Sequence, residues 1–166
     1  MTRSPKCFTL ENFSLQCGAV LPQAQLVYQT YGELADDRSN AILYPTSYGA
    51  QHSDIEWLIR PDGILDPTRW FIIIPNMFGN GMSSSPSNCA ACQLAEAGFW
   101  FTHLDNVRAQ ERLLTEVFGI ERLELVYGWS MGAQQAYHWG ALYGDRVERI
   151  AALCGTARTT DHNKVF

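Results

Sequence analysis

Between residues 25 and 31 the side chains fall into two sets, Leu26, Tyr28 and Thr30 against Val27, Gln29 and Tyr31, and this period of two predicts a strand. Residues 12–18 predict another strand before it, with Leu21-Pro22-Gln23-Ala24-Gln25 as the turn between them. Residues 41–44 are a short apolar run stopped by Pro45. Residues 70–74 are a continuous apolar run, as expected of a strand buried on both faces. Between these two, Ser53-Asp54-Ile55-Glu56 has the spacing of a capping box and predicts the start of a short helix. The spacing then lengthens. Apolar residues at 104, 107, 114 and 118, with charges between them, predict a helix ending at Gly119. Residues 123–127 predict a strand, residues 131–143 a buried helix capped by Gly144, and residues 149–154 a final strand.

From residue 41 onward strands and helices alternate, which predicts a mostly parallel sheet with crossover helices and an antiparallel edge from the two opening strands. The fold class is α/β. The chain has 166 residues and shows no repeat, low-complexity tract or linker, so a single domain over 1–166 is expected.

Composition narrows the function classes. Apolar residues make up 46% and charged residues 17% of the chain, an ordinary globular balance. The net charge is −5 with Lys and Arg scattered, which argues against a nucleic-acid or anionic-membrane surface, since both need clustered positive charge. The opening MTRSPKCFTLENF has no apolar stretch behind its basic residues, so no secretory signal is expected, and the apolar runs are too short to span a bilayer. The five cysteines have no framework spacing, and reduced thiols in a cytoplasmic setting are expected. Cys89-Ala90-Ala91-Cys92 is one C-x-x-C pair without the second that a structural zinc site needs, and no metal is expected. Gly79-Asn80-Gly81 opens like a dinucleotide fingerprint, but position 84 is serine and no helix follows at once, so no bound cofactor is expected either.

One constellation carries chemistry. Gly128-Trp129-Ser130-Met131-Gly132 matches G-x-S-x-G, with a strand before it and an unbroken helix after it. That is the setting of a nucleophile elbow: the serine sits on a strained bend, and the glycines let strand and helix approach closely. Ser130 is the candidate nucleophile. The Met131 backbone N–H, at the positive end of the helix, is the candidate oxyanion donor. A second donor is expected from the loop Pro45-Thr46-Ser47-Tyr48-Gly49, with the backbone N–H of Ser47 as candidate. The alternative is a packing turn that needs small residues only for space. Of the five tryptophans only Trp129 has a claim on the chemistry, with packing under the bend as its alternative.

Four stretches carry a family resemblance: NFSLQCGAVLPQAQLVYQTYGELADDRSNAILYPTSYG, GILDPTRWFIIIPNMFGNGMSSSPS, DNVRAQERLLTEVFGIERLELVYGWSMGAQQAYHWG and RVERIAALCGTART. In order and spacing they resemble the homoserine O-acetyltransferase family of α/β-hydrolase-fold enzymes, from residue 12 onward. The resemblance implies an acyl-serine mechanism in which acetyl-CoA gives its acetyl group to a hydroxyl acceptor, with a small molecule as partner and a homo-oligomer possible. It places Ser130 on the family's nucleophile, and Met131 and Ser47 on its oxyanion positions. Trp129 and Ala133 depart from the more glycine-rich family bend, and Pro45 stands where many members have histidine. The acceptor therefore stays open between homoserine, another alcohol and water, the last making the chain an esterase.

A serine needs a base, and the base an orienting acid, in the chain order Ser, Asp or Glu, His. After Ser130 come Asp145, Glu148 and Asp161 as acids and His138 and His162 as histidines, none in a setting that suits a triad. His103 precedes the serine, as does His52, which is a candidate for the site mouth. The resemblance implies a longer chain, so a partial domain is expected here, ending after about the sixth strand, with the acid, the histidine and a lid missing. Low activity of this chain alone is expected on that reading. A non-catalytic remnant serving as an interaction module is the rival.

Overall fold

The computed structural model describes residues 4–89 and 101–162. Its strands are β1 (Lys6–Ser14), β2 (Val20–Tyr31), β3 (Ala41–Leu43), β4 (Phe71–Pro75), β5 (Leu125–Trp129) and β6 (Ile150–Leu153). Its α-helices among the described residues are α1 (His52–Ile55), α2 (His103–Phe118) and α3 (Met131–Leu142). The strands form one sheet in the order β1-β2-β4-β3-β5-β6. The pairs β1–β2 and β2–β4 are antiparallel, and the other three pairs are parallel. Both the α/β class and the antiparallel edge stand as the alternation predicts.

Alternation along each central strand feeds two cores. In β4, Phe71 and Ile73 pack with Val107, Leu113 and Leu114 of α2 and with Ala136 and Trp139 of α3. Ile72 and Ile74 of the same strand face the other way, against Ile42, Tyr44, Leu65 and Tyr127, with Ile55 and Leu58 covering them. Every residue of β4 is buried, which explains a run of apolar residues with no polar side.

Several boundaries differ from the sequence reading: β1 covers Lys6–Ser14 and not 12–18, and β5 covers Leu125–Trp129 and not 123–127. β2 runs straight through Leu21-Pro22-Gln23-Ala24-Gln25, which is strand and not turn. Pro22 would face Asn12, and that pair is missing from an otherwise unbroken register; proline has no N–H to give and Asn12 turns to a φ of 48, and the ladder is interrupted there without ending. The turn lies earlier, at Gly18, whose φ of 90 suits a glycine. In α1 the N-cap is Gln51, whose N–H donates to Asp54 Oδ2 at 2.8 Å, so the box is shifted from Ser53. Helix α3 ends at Leu142 with Tyr143 as C-cap, and Gly144 opens a 3-10 turn instead of capping the helix. Gly119, by contrast, closes α2 in the left-handed conformation as expected (φ 63).

Helix α2 starts at Thr102, which forms a reciprocal cap with Asp105. The fully buried Asp105 carboxylate accepts from the Thr102 N–H and hydroxyl, both at 2.8 Å, and from the Gln16 N–H at 2.7 Å. One residue thereby fixes the helix start and ties it to the β1–β2 turn. At the far side of the sheet β6 ends the strand order, with Ile150 and Leu153 more than a third exposed.

Cys7, Cys17 and Cys154 are free and exposed, whereas Cys89 is disulfide-bonded, contrary to the expectation of reduced thiols throughout. The rest of the C-x-x-C pair lies outside the described residues. Gly79-Asn80-Gly81 forms a closed turn in which Asn80 Oδ1 accepts from the Met82 and Ser83 N–H groups. No helix among the described residues is long and apolar enough to cross a membrane.

Candidate active site

β5 ends at Trp129 and α3 begins at Met131, so Ser130 alone makes the turn. It does so at φ 53 and ψ −117, a conformation that costs a non-glycine residue about 1–3 kcal/mol. The surroundings hold it there. Its N–H donates to the Leu153 carbonyl at 2.8 Å, and its carbonyl accepts from the Ala133 N–H at 3.0 Å. The flanking glycines are sterically required. A Cβ on Gly128 would lie 2.2 Å from the Gly132 carbonyl oxygen, and one on Gly132 would lie 2.8 Å from the Pro45 oxygen. Ser130 itself is exposed. The bend that the sequence pattern predicts is present with its strain.

The Met131 N–H donates to the Ser47 Oγ at 3.2 Å, bringing the two candidate oxyanion residues together across a sequence gap of 84. The loop that carries Ser47 is tied on several sides. Thr46 accepts from the Met77 N–H through its hydroxyl (3.0 Å), and its carbonyl accepts from the Gln135 side-chain amide (2.9 Å). Gln135 in turn accepts from Gln110 at 2.7 Å, and Gln110 accepts from the Trp139 indole N–H at 2.9 Å. All four residues are buried to 1% exposure or less. Sequence reasoning missed this relay, because a glutamine in a largely apolar helix reveals only that some partner must exist. Replacing Gln135 with leucine strands the Thr46 carbonyl and the Gln110 amide, each at a cost of about 1–3 kcal/mol. We expect Gln135→Leu to lower the denaturation midpoint by a margin equivalent to at least about 2 kcal/mol, read by urea titration.

Two cavities meet at Ser130. One, of about 360 Å³, is lined by Tyr44, Pro45, Ser47, Ile55, Trp57 and Trp129 besides the serine. The other, of about 490 Å³, has a more polar wall that includes His103, Met131, Gln134 and Thr156. Trp129 is 44% exposed and lines the first cavity, so it does not pack beneath the bend.

Residues 50–166 match the family model for the alpha/beta hydrolase fold. The chain belongs to that family. Among curated α/β-hydrolase relatives, the chain is 46% identical to the ethyl acetate hydrolase of Pseudomonas veronii over 154 residues, covering 92% of this chain and 44% of that protein. It is 38% identical to the homoserine O-acetyltransferase of Rhodopseudomonas palustris strain BisB18, covering 92% of this chain and 42% of that protein. The solved structure of the acetyl esterase MekB superposes with a TM-score of 0.92 at 41% identity, covering 98% of this chain and 48% of the other. The chain therefore spans less than half the length of these relatives.

An α/β hydrolase draws its acid and histidine from positions after the serine in the chain. Glu148 pairs with Arg122 at the start of β6, the opposite end of the sheet from Ser130, and Asp145 sits in the 3-10 turn before it. His138 lies within α3, its Nδ1 against the Gln134 carbonyl at 3.1 Å. Asp161 and His162 line neither cavity. His52 does not line the site mouth: it is buried, with its Nδ1 3.2 Å from the Asn76 amide nitrogen. His103 does share a cavity with Ser130, but its Nε2 is held 2.8 Å from Gln134 Oε1 and its buried Nδ1 has no partner among the described residues. Burial, reinforced by the neighbouring His138, holds its imidazole below the ordinary histidine range against the opposing hydrogen bond to Gln134.

Proposed function

We propose that this chain carries the nucleophile and oxyanion site of an enzyme that hydrolyses short-chain acyl esters through an acyl-serine intermediate. The observation that carries the reading is Ser130: exposed, strained at φ 53, and adjoining a Met131 N–H aimed at the loop of Ser47. A base removes the Ser130 hydroxyl proton as the oxygen bonds to the ester carbonyl carbon, and the carbonyl electron pair moves onto oxygen. The backbone N–H groups of Met131 and Ser47 receive that charge. Collapse of the intermediate re-forms the carbonyl and expels the alcohol, which takes the proton from the base. Water then repeats the sequence and releases the acid. The base is a histidine with an orienting carboxylate, supplied from outside the described residues.

The apolar cavity beside Ser130 favours a small uncharged acyl or alkyl group, and the 46% identity to a protein named ethyl acetate hydrolase supports water as acceptor. Transfer of acetyl from acetyl-CoA to homoserine or another alcohol is the second reading, supported by the 38% identity to a homoserine O-acetyltransferase. The protein at its full natural length decides between them. We expect acetic acid release from ethyl acetate with no acceptor added. Acetyl transfer to homoserine without ester hydrolysis would establish the second reading, and neither activity would mark a non-catalytic remnant.

A further inference from the structure

We infer that the Ser47 side chain, and not only its backbone, is an oxyanion donor. The inference rests on the acyl-serine reading and adds a catalytic residue to it. A serine hydroxyl has one proton and two lone pairs. In this structure one lone pair is taken by the Met131 N–H at 3.2 Å, the long end of the normal range. That leaves the hydroxyl proton free to donate, from a point adjacent to the amide on which a developing oxyanion would land.

The hydroxyl also sits in the right surroundings. Ser47 is half-buried and lines the same cavity as Ser130, beside Tyr44, Pro45, Ile55, Trp57 and Trp129. In so apolar a wall a hydroxyl donor acts more strongly than it would in water. The backbone that carries it is fixed before any substrate arrives. Thr46, the preceding residue, is held through its carbonyl by Gln135 and through its hydroxyl by the Met77 N–H, and the Ser47 carbonyl accepts from the Ala50 N–H at 3.1 Å. As the ester carbonyl oxygen gains charge, it takes the Met131 N–H that Ser47 Oγ held, and Ser47 turns its O–H onto the same oxygen. No bond to Ser47 is made or broken.

The test uses Ser47→Ala and Ser47→Thr in the protein at full natural length, with p-nitrophenyl acetate as substrate and an alkyl boronic acid as tetrahedral analogue. Alanine keeps the backbone N–H and removes only the hydroxyl. We expect Ser47→Ala to lose about 10²-fold in kcat, with KM little changed. The boronate should weaken by a similar factor, and Ser47→Thr should recover most of both losses. Circular dichroism and the denaturation midpoint check that each variant is folded. Should alanine misfold, the threonine variant and Ser47→Cys, whose thiol is a weak donor, carry the comparison: threonine near wild type and cysteine impaired supports the role. A folded Ser47→Ala with wild-type kcat and boronate affinity overturns the inference and leaves Ser130 as nucleophile untouched. A wild-type protein with neither ester hydrolysis nor acetyl transfer to an alcohol overturns the acyl-serine reading itself, and this inference with it.

Discussion

Ser130→Ala at full natural length is expected to lose about 10⁶-fold in kcat for ester hydrolysis while folding normally, because no other group can form the acyl bond once the hydroxyl is gone. Alanine fits the position, since the site is exposed and the serine side chain makes no hydrogen bond that fixes the helix start. The strain at φ 53 stays with either residue, so stability should change little. Stopped assays of acid release, compared with the denaturation midpoint, check both halves. Retention of more than a small fraction of the rate in the variant would remove Ser130 from the reaction.

The second large effect is structural. Gly128→Ala places a methyl group 2.2 Å from the Gly132 oxygen, 2.4 Å from the Gly132 carbonyl carbon and 2.6 Å from the Ala133 nitrogen. All three are backbone atoms of the first turn of α3, so no side chain can move aside to make room. Overpacking against movable groups already costs about 1–3 kcal/mol, and here strand and helix must separate. We expect a loss of at least about 3 kcal/mol, which for a domain of this size is a fall in Tm of roughly 6–12 °C. Gly144→Ala is the matched control. No atom lies within 4 Å of its added Cβ and its φ is not positive, so its Tm should stay close to wild type. Equal effects at the two positions would mean that the bend tolerates more space than its geometry shows.

These effects explain why the bend was legible from sequence alone. The requirement for Gly128 is local, set by backbone atoms within five residues, whereas Gly132 is required by the Pro45 carbonyl, distant in the sequence, that it abuts. The central strands were legible for a similar reason, since burial on both faces leaves a run such as Phe71–Pro75 with no polar side. The Thr102-x-x-Asp105 cap also stands in the sequence, but its buried carboxylate serves Gln16 across 89 positions, which no local pattern encodes. The Gln110–Gln135–Trp139 relay was hidden in the same way. Pro22 misled because proline marks turns more often than strands, and here it lies within a strand opposite Asn12, whose φ of 48 accompanies the one missing pair. His52 looked like a group for a site mouth because it follows a loop. Asn76, fully buried at the end of β4, holds it instead.

The two cavities divide the space around Ser130 unequally in chemistry. Trp57 and Trp129, both largely exposed, frame the apolar one, while His103 and Gln134 belong to the other. An ester laid across the serine would set its carbonyl at their junction, beside the Met131 N–H that donates to Ser47 Oγ.

The most direct measurement is to mix the full natural-length protein with p-nitrophenyl acetate, quench in acid within the first turnover, digest, and locate the added acetyl group by mass spectrometry. The account predicts an acetyl group on the peptide containing Ser130, at that residue, and its absence in Ser130→Ala. Acetylation elsewhere with Ser130 unmodified, during turnover that Ser130→Ala sustains at the wild-type rate, would contradict it.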